Sequence, residues 1–163
     1  MYRIIIQQAA DNAFVPASTL LRKWAKKALS QKNTRQMKSA EMTLRIVNTD
    51  EMTTLNSTYR HKKGPTNVLS FPFTTPADIV MDRPLLGDII ICADVVNREA
   101  QEQQKTPESH WAHMIIHGVF HLLGFDHEIE SEADIMETME IEVMQALGFA
   151  NPYLMGENIK DYD

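Results

Sequence analysis

The segment LLGDIIIC at positions 85–92 constrains the fold more than any other stretch of the chain. It is strand-length and apolar at consecutive positions, the pattern of a strand covered on both faces rather than one. It therefore reads as the central strand of a layered sheet. Around it, strand and helix patterns alternate. Residues 2–8 read as a strand, and 16–30 as a helix with Leu20, Leu21, Trp24 and Leu29 on one side and a set of cations on the other. A strand at 43–47 leads into a helix opened by Asn48 with Glu51 three residues on, a capping-box pattern, and ending near Tyr59. A strand at 66–71 is closed by Pro72, and the proline-rich stretch 73–84 reads as a loop or hairpin. Three helices follow the central strand: one over 94–103, one from the Thr106-Pro107 pair to Gly124, and one from Ser131 with Asp134 to Gly148. The expectation is an α/β (α+β) fold over residues 1–163, a single layered domain with a mixed sheet of about four strands and about five helices.

Charge is unevenly placed along this frame. The formal net charge is −6, which by itself disfavours a polyanionic partner. Yet residues 1–105 hold 15 basic and 10 acidic residues, and 106–163 hold Lys160 against 12 acids. From Pro16 to Lys63, eleven bases face Glu41, Asp50 and Glu51, a local field able to hold a polyanion. Cys92 is the only cysteine, so no intrachain disulfide forms, and its apolar surroundings read as those of a buried small side chain. No stretch has the apolar length of a membrane span or a signal-peptide core, so a cytoplasmic protein without a membrane partner is expected.

Five of the six histidines fall within HWAHMIIHGVFHLLGFDH, positions 110–127. His117 and His121, four apart on a predicted helix, project from one face about a turn from each other and are near enough to share a metal ion. Gly124 lets the chain leave the helix and turn, which brings His127 back as a third candidate ligand. Three neutral nitrogens leave the fourth tetrahedral position open to water, the arrangement of a catalytic zinc; a histidine-only set also suits nickel, copper or cobalt. The spacing equals the metal-binding frame of the metzincin proteases, H-E-x-x-H-x-x-G-x-x-H, except that Gly118 replaces the glutamate that serves them as general base.

Neighbouring residues have less specific readings. His113, one turn before His117, sits either behind a ligand or simply in the core. Asp126 either orients a ligand imidazole and accepts a proton, or caps the turn. His110 and His61 are expected to be exposed. Glu132, Glu137, Glu140 and Glu142 read as the solvated face of the last helix, and Met136, Met139 and Met144 as its core face.

HGVFHLLGFDH resembles the HGxLHLxGYDH signature of the bacterial YbeY family of rRNA-maturation endoribonucleases. LNSTYRHKKGPTNVLSFPF is similar to that family's LNxxYRxKDxPTDVLSFPF block, LLGDIIIC to its LGDIxIs strand, and LGFANPY to its usual ending. Phe120, Phe125 and Asn67 depart from the pattern, and Asn67 replaces an acid that bears on the order of the loop after Arg60. The resemblance implies a metal-dependent, single-strand-specific endoribonuclease acting at the 3′ end of small-subunit rRNA and in ribosome quality control. It implies the small ribosomal subunit and assembly factors as partners, and His117, His121 and His127 as ligands of one zinc ion. It also makes Arg60 the functionally important arginine.

Elementary chemistry agrees, since a guanidinium fork meets the charge that builds on non-bridging phosphoryl oxygens. Taken alone, without the resemblance, Arg60 reads as a solvated cation at a helix C-terminus. Lys62 and Lys63, with Lys23 and Lys27 on the basic helix, suit attraction of the RNA backbone rather than chemistry. Two other readings of the same residues stand at this point. One is a metzincin-like metalloprotease in which LLGDIIIC pairs an extended peptide at a sheet edge. The other is a non-enzymatic assembly factor in which zinc only stiffens the turn from Gly124 to His127.

Overall fold

In the computed structural model, which describes residues 1–32, 34, 38–74, 83–126, 128–155 and 158–159, four strands make one sheet in the order β1-β2-β4-β3. They are β1 (Tyr2–Gln8), β2 (Ala40–Val47), β3 (Val68–Pro72) and β4 (Leu85–Cys92). β1, β2 and β4 run parallel, and β3 runs antiparallel to β4. The LLGDIIIC strand is internal, as its composition requires. Ile89 and Ile91 point into the larger core with α1 (Ser18–Leu29) and α4 (Pro107–Leu122). Ile90 and Cys92 point the other way, into a smaller cluster with Met52 of α2 (Thr49–Arg60) and Val95 of α3 (Ala93–Glu102). Burying both faces at about 1.5–3 kcal/mol per large apolar side chain fixes the strand at the centre. α5 (Glu130–Ala146) lays Met136, Met139, Val143 and Met144 on the larger core. A short ribbon of β5 (Leu154–Met155) and β6 (Asn158–Ile159) follows.

The expected α/β class, mixed four-stranded sheet and five helices are present, with differences at the ends of elements. β4 hydrogen-bonds to β2 on one side and β3 on the other, so it offers no edge to an extended peptide; the outer strands are β1 and β3. Asn48 is the N-cap of α2, but its Oδ1 accepts instead from Asp11 N at 2.7 Å, while its Nδ2 donates to Asp11 O at 2.9 Å and Asp94 Oδ2 at 3.2 Å. Asp94 takes over the capping role by accepting from Thr49 N at 3.0 Å, and Glu51 is drawn to Arg45 at 2.6 Å rather than back to the cap. α4 is capped as its sequence predicts, Thr106 Oγ1 accepting from Ser109 N with Pro107 in the first turn. α5 starts at Glu130 behind Ile129, one position before the expected Ser131 signal, its first-turn acids facing the positive helix end. Of the predicted loop at 73–84, residues 75–82 lie outside the described residues. No helix among the described residues is long and apolar enough to cross a membrane.

Candidate functional site

The site grows out of α4, whose middle is buried on almost every side. Trp111, Ile115, Ile116, Val119 and Phe120 are fully buried, which anchors the helix against the sheet and leaves one stripe facing a cavity. His117 and His121 occupy that stripe. Their Nε2 atoms lie 3.0 Å apart, with ring centroids 4.5 Å apart and planes at 77°. Two nitrogens on one tetrahedral zinc, each about 2.0–2.1 Å from it, are separated by roughly 3.3 Å. The pair therefore fits two adjacent ligand positions of a single ion.

The end of α4 then turns sharply. Gly124 N donates to His121 O at 3.0 Å and Phe125 N to Phe120 O at 3.1 Å, with Gly124 at φ +101°. Phe120 and Phe125 stack edge-on at 6.2 Å, the apolar contact that accompanies this type of helix stop. Asp126 Oδ1 accepts from Glu128 N at 2.9 Å, so the turn-capping reading of Asp126 is the one observed. Asp126 and Glu128 both line the cavity beside the two histidines. His127, between them in sequence, lies outside the described residues.

Across the cavity, of about 660 Å³, stand the end of α2 and the outer strand β3. Arg60 is the last residue of α2, exposed to the cavity, and donates from Nη2 to Ser70 O at 3.2 Å. The chain leaves α2 through His61 in the left-handed region at φ 56° and is stapled back by Asn56. The Asn56 carbonyl accepts from Lys62 N at 3.3 Å, and its buried amide donates to Gly64 O at 2.9 Å. Ser70 Oγ donates to Gly118 O at 3.3 Å, tying β3 to α4. Asn67, where the chain departs from the family pattern, has a structural use: its amide donates to Glu99 at 3.1 Å, which an aspartate could not do.

Arg60, Lys62, His117, His121 and Asp126 thus line one cavity. Lys63 is exposed and outside it. Lys23 and Lys27 line a separate groove on α1 with Tyr2, Arg22 and Lys26. His61 is exposed, as expected. His110 is not: it is 3% exposed and bonds Glu99 Oε1 at 2.9 Å, because its position on α4 faces α3 rather than solvent. Burial raises the Glu99 carboxyl pKa, but hydrogen bonds from His110 and Asn67 outweigh it and hold the group below its ordinary value.

The main correction concerns Glu140. Its sequence neighbours suggest a solvated acid, yet it is 1% exposed and sits against α4. Its Oε2 lies 2.7 Å from His117 Nδ1 and 3.4 Å from His113 Nε2, the second a loose contact, and its Oε1 accepts from the Tyr153 hydroxyl. Burial works to raise the Glu140 pKa, but the His113 and His117 imidazoles hold it well below the usual carboxylate range, so it is ionised. Burial pushes the His113 pKa down by more than Glu140 lifts it, and the ring lies buried beside His117. The signal for Glu140 was present in the spacing: it falls on the 136, 139, 143 stripe that buries α5.

Gly118 stands on the far side of the helix from any catalytic base. A Cβ there would lie 3.1 Å from two side-chain atoms of Ile89, so position 118 faces β4. β4 is also internal and offers no edge to a peptide, so the strand pairing that a metalloprotease reading calls for is absent from the geometry.

A family model described as endoribonuclease YbeY matches residues 5–148. The endoribonuclease YbeY of Nitrosococcus oceani is 49% identical over 148 residues, covering 91% of this chain and 94% of that protein. That of Methylococcus capsulatus is 51% identical over 153 residues, covering 94% and 96% respectively. The solution structure of a protein from Thermotoga maritima aligns with a TM-score of 0.56 at 25% identity, over 91% of this chain and 92% of that one.

Proposed function

The chain belongs to the endoribonuclease YbeY family, and from that membership we propose that it is a metal-dependent enzyme that cuts single-stranded rRNA in the cavity between Arg60 and the α4 histidines. An endoribonuclease role in rRNA processing comes with the family. The finer reading adds the 3′ end of small-subunit rRNA as target, ribosome quality control as context, and the small subunit with its assembly factors as partners. With rRNA as its substrate, the enzyme acts in the cytoplasm.

The observation that carries metal dependence is the approach of His117 Nε2 and His121 Nε2 to 3.0 Å on the wall opposite Arg60. His117, His121 and His127 would hold one zinc ion, and Asp126 and Glu128 on either side of His127 already line the same cavity. When bound, the ion supplies Lewis-acid withdrawal of charge from a phosphoryl oxygen. Arg60, anchored through one N–H to Ser70 O, presents its guanidinium to the non-bridging oxygens as their charge builds. Lys62, on the same wall, draws the RNA backbone in; Lys63, Lys23 and Lys27 act from outside the cavity. The products identify the nucleophile, since attack by the neighbouring ribose hydroxyl leaves a cyclic phosphate and attack by water a terminal monophosphate.

Metal analysis of the purified protein, paired with cleavage of single-stranded RNA with and without chelator, tests the proposal. One ion per chain, chelator-sensitive cleavage, and loss of cleavage in folded His117→Ala and Arg60→Glu variants are expected. Undiminished cleavage by metal-free protein in chelator would overturn it.

A further inference from the structure

Among the described residues, Glu140 is the acidic side chain that is almost completely buried. Core packing does not account for it. The stripe it belongs to is built from Met136, Met139, Val143 and Met144, and a methionine of similar volume would continue that stripe without removing a charge from water. What Glu140 does instead is accept. Its Oε2 faces His117 Nδ1 at 2.7 Å, so an imidazole N–H on that atom has its acceptor there. A neutral imidazole carrying its proton on Nδ1 has its lone pair on Nε2, the atom that meets His121 Nε2 at 3.0 Å. The other oxygen of Glu140 is held by the Tyr153 hydroxyl, from the segment after α5.

We propose that Glu140 is the positioning residue of the metal centre: it fixes His117 in the tautomer and orientation that present Nε2 to the ion, and Tyr153 holds Glu140 in place. Carboxylates bonded to the second nitrogen of a metal-binding imidazole act in this way generally, raising its basicity and fixing its ring. The inference rests on the metal-dependent reading of the site, although its first consequence is visible without metal.

Two measurements on the full chain test it. Nitrogen-15 imidazole spectra of the metal-free protein report which nitrogen of His117 is protonated, and zinc competition against a chromophoric chelator reports affinity. In the wild-type protein His117 is expected as the Nδ1–H tautomer. Glu140→Met, which keeps volume and removes the acceptor, is expected to shift His117 toward Nε2–H and to weaken zinc binding roughly 10–100-fold. Glu140→Gln keeps an acceptor and restores much of that loss, and Tyr153→Phe gives a smaller loss than Glu140→Met. A purely structural role predicts lowered thermal stability with zinc affinity and tautomer unchanged, and that result overturns the proposal. If Glu140→Met does not fold, zinc affinity and tautomer both unchanged in folded Tyr153→Phe overturn it equally. If wild-type protein binds no zinc, the metal-dependent function fails, while the tautomer spectra still decide whether Glu140 sets His117.

Discussion

A Cβ at position 118 would come within 3.1 Å of two Ile89 atoms and 3.3 Å of a third, so the glycine is a packing requirement between α4 and β4. Gly118→Ala is expected to cost about 1–3 kcal/mol in denaturant unfolding, since Ile89 must give way in a fully buried interface. Gly118→Glu should cost more and create no peptidase, because its carboxylate starts under the sheet rather than beside His117. Chelator-sensitive digestion of a peptide library by that variant would contradict the geometry. The absence of a base at 118 is legible in the sequence; the crowding that forbids one is not, because Ile89 lies 29 positions away and meets it only through the fold. His117 and His121 are legible because a local rule, four residues on a helix, places them. Glu140 escapes the same logic because three acids nearby supply a solvated context, and only its place on the methionine stripe marks it as buried.

Between elements, small polar groups do the joining. Glu99 on α3 holds both Asn67 ahead of β3 and His110 on α4. Its carboxyl pKa is depressed in the folded chain relative to the usual value of 4.5, so the folded state binds its proton less readily than the unfolded one. The stability this contributes is fully present above about pH 4.5 and is lost as pH falls below it. Glu99→Gln should flatten that part of the acid limb of an unfolding curve, and an unchanged limb would show that the pairing contributes nothing. Asn67→Asp should destabilise at neutral pH by setting a second carboxylate against Glu99, read as a lower denaturation midpoint that partly recovers with acid. The stop of α4 has its own test. A side-chain carbon added at Gly124, where φ is +101°, would meet no atom within 4 Å, so Gly124→Ala encounters conformational strain and not a clash. About 1 kcal/mol of destabilisation is expected, and, on the metal-dependent reading, zinc occupancy should fall further than stability does, because the turn leads into Asp126 and Glu128, which line the cavity with the histidines. Glycine stops and the Thr106 cap are readable from sequence because the partners are one turn away. The Asn48 cap is misread because its amide has distant competitors, Asp11 and Asp94, that local patterns do not reveal.

At the scale of the whole molecule, the uneven charge of the sequence becomes a spatial one, though a less simple one than counting suggests. Of the cations between Pro16 and Lys63, Arg45 is tied to Glu51 at 2.6 Å and Arg22 donates to Ile4 O at 3.1 Å. Glu140 must be removed from the acidic surface altogether. The cations available to RNA include Arg60 and Lys62 within the cavity, the exposed Lys63 outside it, and Lys23, Lys26 and Lys27 on a separate α1 groove. On the proposed function, contacts in the cavity would act on the reacting phosphate, whereas contacts on α1 would act only on affinity, through release of counterions from the strand. The double reversal Lys23→Glu with Lys27→Glu should therefore weaken binding of a long single-stranded RNA. It should also lower the slope of log affinity against log salt by roughly 1.4, for two lost phosphate contacts at about 0.7 each. Cleavage of an oligonucleotide short enough to occupy the cavity alone should keep its single-turnover rate. Asp134→Asn, an exposed change on α5, serves as the control and should move neither quantity. An unchanged salt slope in the lysine variant would mean that the α1 cations serve solubility and that RNA is held by the Arg60 wall alone.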